Sequence, residues 1–249
     1  EDFHSIENNK ALLAIPIANT NLLIGKSMVN NFDPLVPSRY QEWMLVLDKA
    51  NSNFVGNALQ TMNVNSWQQL DINQKSGVLN EVIQAYGFYI WYPCAIFVDD
   101  DQEAMDALIL NQPEIANLNI AVITAEKKLN TSQDNCQTNI APRISLGVHT
   151  PSHRIINIST KHAGWLVVSE VSYPGWQVTL DGDRLIERRA NYLFRSVYIP
   201  SGDHTIEYRY QPNSFLVGCG VSICTILLFL FVLVIIPILS SRRKRPLEF

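Results

Sequence analysis

The sequence predicts an α+β chain in three parts. An N-terminal mixed α/β region covers residues 1–135, an antiparallel β-sandwich of about seven strands covers 136–212, and one transmembrane helix covers 213–240, followed by a basic tail at 241–249. Three observations carry this expectation. No charged residue stands between Arg209 and Arg242. Apolar periodicity changes to alternation after a polar, turn-rich stretch, Leu129–Asn139. Before that stretch, a strand-like run, three aspartates, a helix-like run and a second strand follow in the order of an α/β unit.

In chain order, Ala11–Ile17 and Asn21–Ile24 read as short strands or buried segments, and Pro34, Pro37 and Ser38 punctuate a loop. Arg39–Ala50 has apolar residues at helical spacing, and a second helix is predicted within Ser66–Tyr86. Tyr89–Val98 reads as one buried strand. Asp99, Asp100 and Asp101 then stand where a helix through Leu110 needs its cap, and Ile120–Thr124 reads as another strand. Past the linker, candidate strands are Arg143–Thr150, Arg154–Thr160, Trp165–Val171, Trp176–Leu180, Leu193–Ile199 and Thr205–Tyr210. Asp181-Gly182 is a hairpin dipeptide, and Pro200–Asp203 a second turn.

Phe215–Leu239 is 25 residues long, and 18 of them are Leu, Ile, Val or Phe. As a helix it rises about 37 Å, enough to cross a hydrocarbon core of about 30 Å with some tilt. Arg242, Arg243, Lys244 and Arg245 follow directly, so the positive-inside rule puts the C-terminus in the cytoplasm and residues before 213 outside. Tyr208 and Tyr210 fall where an interfacial aromatic belt would lie. Gly218, Ser222 and Thr225 offer small residues for helix packing, with ordinary lipid-facing composition as the alternative.

Composition narrows function. With 47% hydrophobic and 17% charged residues, the 249-residue chain is neither disordered nor collagen-like. The net charge of −4 gives no support to a nucleic-acid partner. Four cations and one acid lie in 242–249, which leaves 15 cations against 22 acids before it: an acidic ectodomain. The chain begins at Glu1 without Met, so either a leader has been removed or this is the C-terminal piece of a longer protein whose transmembrane helices lie upstream. Cys219 and Cys224 fall in the span; Cys94 and Cys136 fall outside, where a disulfide is chemically allowed, though no spacing shows that they meet.

No nucleophile-elbow, zincin or phosphate-loop motif is present, and no catalytic residue or metal site is assigned. The aspartate triplet could hold a hard cation, but its position favours capping. His149 and His153 are four apart, but on strands or loops that spacing does not bring them side by side as it would on a helix, so a zinc site is not expected. Asn130-Thr-Ser and Asn157-Ile-Ser match glycosylation acceptors. Two stretches offer substrate-binding candidates. One holds Asp33, Arg39 and Tyr40; the other sets Tyr173 and Trp176 before Arg189 and Asn191, which suits a sugar by ring stacking and hydrogen bonding. The competing reading is a tight Pro-Gly turn whose Trp fills the core while Asn191 bonds backbone, and it is preferred.

These stretches carry a resemblance. Gly164–Gly182, Glu187–Pro200, Gly202–Ile206 and Tyr210–Phe215, with the earlier Val29–Tyr40, resemble in order and spacing the C-terminal region of YfhO-type bacterial membrane proteins. The resemblance is weaker between Asn51 and Asn139. It implies a large polytopic protein of the bacterial cytoplasmic membrane, related to GT-C glycosyltransferases. Such enzymes use a polyprenyl-phosphate-linked sugar as donor and add the sugar on the outer side of the membrane, and some are implicated in glycosylating an envelope glycopolymer such as a teichoic acid. The catalytic carboxylates of that class lie on an early outer loop, so none is carried onto this chain, and no cofactor is implied for the fragment itself. Two other functions compete: a single-pass envelope protein with a carbohydrate- or protein-binding ectodomain, and, least favoured, an anchored metal-dependent hydrolase using the aspartate triplet and histidines.

Overall fold

The computed structural model describes residues 37–64, 66–71, 76–81, 86–125 and 140–243. The expected strands at 11–17 and 21–24, together with Asp33, Asn130, Cys136, Lys244 and Arg245, lie outside the described residues. The chain forms two compact units.

The first unit opens with two helices. α1 (Ser38–Lys49) buries Trp43 and Leu47, one turn apart on a single face. α2 (Ser52–Thr61) is capped by Asn51, whose side chain accepts the Phe54 N–H at 2.9 Å. It buries Val55, Ala58 and Leu59. The helix predicted within Ser66–Tyr86 is instead an antiparallel hairpin, β1 (Ser66–Asp71) and β2 (Ser76–Glu81), in the register Ser66↔Glu81 to Asp71↔Ser76. Ser76, Gly77 and Asn80 are poor helix formers.

Tyr89–Val98 is two strands, not one: β3 (Tyr89–Tyr92) and β4 (Cys94–Val98), broken at Pro93, which has no N–H to give a ladder. α3 (Asp101–Leu110) follows with Asp100 as its N-cap. The Asp100 carboxylate accepts the Glu103 N–H at 2.8 Å, and Glu103 accepts the Asp99 N–H at 3.0 Å, a reciprocal pairing of capping-box type. α3 buries Ala104 and Leu108; a short α4 (Gln112–Ala116) then leads to β5 (Ile120–Thr124), parallel to β4.

The remaining strands are β6 (Arg143–His149), β7 (His153–Thr160), β8 (Gly164–Val171), β9 (Trp176–Leu180), β10 (Asp183–Leu185), β11 (Arg188–Ala190), β12 (Phe194–Ile199) and β13 (Gly202–Tyr210). They do not make one sandwich of about seven strands. Among the described residues they enter two sheets, one of six strands in the order β3-β8-β12-β11-β5-β4 and one of five in the order β10-β9-β13-β7-β6. The N-terminal strands β3, β4 and β5 complete the six-stranded sheet, a long-range pairing that alternation within the later strands could not announce. Only Pro93 separates the two edge strands β3 and β4, so their facing ends stand within about 7 Å. A bulge in β12 at Phe194/Arg195 supplies local bending. Its core holds Ile90, Tyr92, Val122, Ile123, Trp165 and Val167, each at most 5% exposed.

The five-stranded sheet belongs to the second unit, with Ile156, Ile158, Val178, Ile206 and Tyr208 buried. Asp181 and Gly182 both have positive φ, at 54° and 93°, and close the β9–β10 hairpin as the dipeptide predicts. Two residues after β13, α5 (Asn213–Arg243) begins. Among the described residues this is one helix long and apolar enough to cross a membrane, over Asn213–Leu233. Phe215, Leu216, Leu228 and Phe229 are all exposed along it, the all-round apolar surface expected of a span. Ser222 and Thr225 donate their hydroxyls to the carbonyls of Gly218 and Val221, one turn back. Arg242 and Arg243 end α5.

Candidate functional site

The first unit gathers a charged cluster from three elements. Arg39, in the first turn of α1, donates from Nε to Asp101 Oδ2 at 2.8 Å. Arg189, on β11, donates from Nη2 to the other oxygen, Asp101 Oδ1. Asp101 opens α3, so its carboxylate also faces the positive end of that helix. Next to it, the Tyr192 hydroxyl donates to Glu42 on α1. Burial lowers the Arg189 pKa, and the neighbouring Arg39 adds to that, while Asp101 opposes both. The Tyr192 hydroxyl is pushed up to about 12, first by burial and then by Glu42. Burial alone pushes Tyr40 to about 12.

The expected site residues divide between the units. Arg39 and Arg189 come together on Asp101, although 150 residues separate them. Tyr40 packs against the core beside them. Asn191 is 3% exposed with φ of +46°. Its side-chain oxygen accepts the Val122 N–H at 2.9 Å, its own N–H reaches the Val122 carbonyl at 2.7 Å, and its amide nitrogen reaches the Tyr92 hydroxyl at 3.2 Å. It splices the β11–β12 connection onto β5. Tyr173 and Trp176 belong to the second unit. There Trp176 lies 5.3 Å from the Tyr210 ring and 6.4 Å from Tyr208, with the Arg154 guanidinium 5.2 Å from its ring centre. Tyr173 is 56% exposed.

Several charged groups lie beyond the residues that the sequence singles out. Arg195 on β12 is wholly buried and pairs with Glu170 on β8, with Glu187 Oε2 3.7 Å from its Nη1. A lone cation inside Leu193–Ile199, and a lone acid inside Gly164–Val171, are the sequence traces of that buried pairing. Burial raises the Glu187 carboxyl to about 7; Arg195 restrains the rise and Glu170 adds to it. In the second unit, His153 pairs with Glu207 at 2.6 Å and His204 with Asp181 at 2.7 Å. Cys94 is disulfide-bonded, while Cys219 and Cys224 carry free thiols.

Chemically, the Asp101 cluster is a clasp. Both oxygens of the carboxylate are held by guanidinium N–H donors, which ties α1, α3 and β11 together. No His, Ser or Cys stands among the four groups of the clasp, Arg39, Asp101, Arg189 and Glu42, to act as nucleophile. Among the described residues, no three His, Cys, Asp or Glu side chains converge as metal ligands.

Residues 108–222 match the model of the family described as Bacterial membrane protein YfhO. The match runs from the end of α3 through β5–β13 and into the first turns of α5. No curated protein and no solved structure matches the chain.

Proposed function

We propose that this chain is the C-terminal extracytoplasmic region and last membrane span of a YfhO-type bacterial membrane protein that transfers sugars from a polyprenyl-phosphate-linked donor to an envelope acceptor. In this reading the chain is non-catalytic: it supports the membrane-embedded enzyme and positions the acceptor. The observation that carries the proposal is the continuity of the family match across the sheets into α5. Two physical arguments support it. One apolar helix cannot build a groove for a polyprenyl donor, which needs several helices side by side. The charges of the first unit also pair with one another, in Arg39–Asp101–Arg189 and around the wholly buried Arg195 with Glu170 and Glu187, which supports a scaffolding role. The basic run Arg242–Arg245 supports a cytoplasmic C-terminus by the positive-inside rule.

The test is transfer of radiolabelled sugar from a polyprenyl-phosphate donor in washed membranes. Membranes carrying the whole protein are expected to label envelope polymer, and membranes carrying this chain alone to label none. Label incorporated by this chain alone, or by neither, refutes the proposal. Impermeant thiol reagents settle orientation: a cysteine at Ser201 reacts in intact cells and one at Ser241 only after lysis.

A further inference from the structure

We infer that the end of the five-stranded sheet nearest α5 is a lipid-headgroup platform, with the Tyr173–Gly175 loop seated in the interfacial layer of the bilayer. The argument starts from the short connection. β13 ends at Tyr210 and α5 starts at Asn213, so the sheet cannot stand off from the span. Two loops are fastened to that connection. The Gln211 N–H donates to the Gly175 carbonyl at 2.7 Å, and the Tyr210 N–H donates to the Ser152 carbonyl at 2.8 Å.

Gly175 makes the first attachment close. Its φ is +109°, and a Cβ there would meet the Tyr210 ring at 2.9 Å and Pro212 at 3.0–3.1 Å. The loop therefore lies on the residues that lead into the helix. Phe215, where the apolar run begins, is three residues past Pro212, about 5 Å along a helix axis. The headgroup layer on each side of the hydrocarbon core is roughly 5–8 Å thick. Gly175 thus falls within that layer, and Tyr173 is at most about 7 Å of chain away from it.

The side chains suit the place. Tyr173 is 56% exposed and Pro174 is exposed beside it. Trp176 and Tyr210, both half-buried, pack with ring centres 5.3 Å apart and planes tilted by 51° at the same end of the sheet. Tyr and Trp have an apolar ring and a polar tip, and they favour the membrane–water interface. An exposed Tyr-Pro tip beside the Trp176–Tyr210 pair is well placed among headgroups. The partner is the lipid surface, whatever the rest of the protein does.

The test is the depth of nitroxide labels on the full chain in vesicles of equal phosphatidylethanolamine and phosphatidylglycerol. Three variants, each with one introduced cysteine for labelling, are made with the free thiols removed by Cys219→Ser and Cys224→Ser and the Cys94 disulfide kept: Tyr173→Cys, Asp183→Cys and Leu228→Cys. Asp183 stands past the far end of β9, about 13 Å of strand from Trp176. The ratio of collisions with oxygen to collisions with a water-soluble nickel chelate is expected to be highest at 228, several-fold above water at 173, and water-like at 183. A water-like ratio at 173 together with a buried 228 overturns the platform and leaves the span intact. A water-like ratio at 228 overturns both.

Discussion

Glu187→Gln tests the electrostatics of the first unit. Glu187 lies between β10 and β11, its side chain is 17% exposed, and Oε2 is 3.7 Å from Arg195 Nη1. Burial raises its pKa from 4.5 to about 7 despite that cation. The folded state therefore holds its proton more tightly than the unfolded chain does. The corresponding stability is fully present below pH 4.5 and is lost as pH rises through 7. A shift from 4.5 to about 7, at 1.36 kcal/mol per unit, makes the loss about 3 kcal/mol. Glutamine has the shape of the protonated acid and does not titrate. The assay is guanidinium unfolding of the full chain in detergent micelles at a series of pH values, followed by tryptophan fluorescence. The variant minus parent difference is expected to be near zero at pH 4 and to grow to about 3 kcal/mol in favour of Gln by pH 8. A difference that does not change with pH refutes the reasoning, because all other titrating groups are common to both proteins.

Gly164→Ala places a Cβ 2.4 Å from the Trp91 ring and 2.8 Å from the Tyr92 carbonyl oxygen; the same unfolding assay is expected to show a loss of about 1–3 kcal/mol. Gly56→Ala has the opposite sign: nothing lies within 4 Å of the added carbon on α2, so a gain of about 0.5–1 kcal/mol is expected as a raised melting temperature. The Cys94 disulfide is expected to join Cys136, so non-reducing peptide mapping should recover those two peptides as one species. Closing a loop of that length is worth about 4 kcal/mol in the chain-entropy picture, and reduction should lower the unfolding midpoint accordingly.

Local chemistry was legible in the sequence, and long-range pairing was not. The α3 cap could be read because Asp99–Asp101 stand where a strand-like run hands over to a helix-like one, and Asp100 is the residue that accepts the Glu103 N–H. The β9–β10 turn could be read because Asp-Gly tolerates positive φ. α5 announces itself by a gap in charge longer than a bilayer is thick. By contrast, β10 and β11 are three residues each, too short for any period to show. Gly56 weakens the helical signal of α2, and the hairpin after it resembles a helix in sequence because short apolar runs fit either period. The six-stranded sheet depends on β5 meeting β11 about 65 residues later, which no local pattern encodes. The same holds for the site. Arg39 and Arg189 were singled out by residue type, but the carboxylate that joins them was read as part of a cap. Asp101 does both: it opens the helix and receives two arginines.

The central claim is that this chain serves a sugar transferase of the cell envelope without performing the chemistry. Mass spectrometry of purified envelope polymers tests it in the living bacterium, comparing the parent strain, a strain lacking the whole gene, and a strain lacking only the segment encoding these residues. The account predicts that a sugar substituent present in the parent is absent from both deletion strains, and is restored by the whole gene but not by this segment alone. Unchanged polymer glycosylation in the strain lacking the whole gene would contradict it.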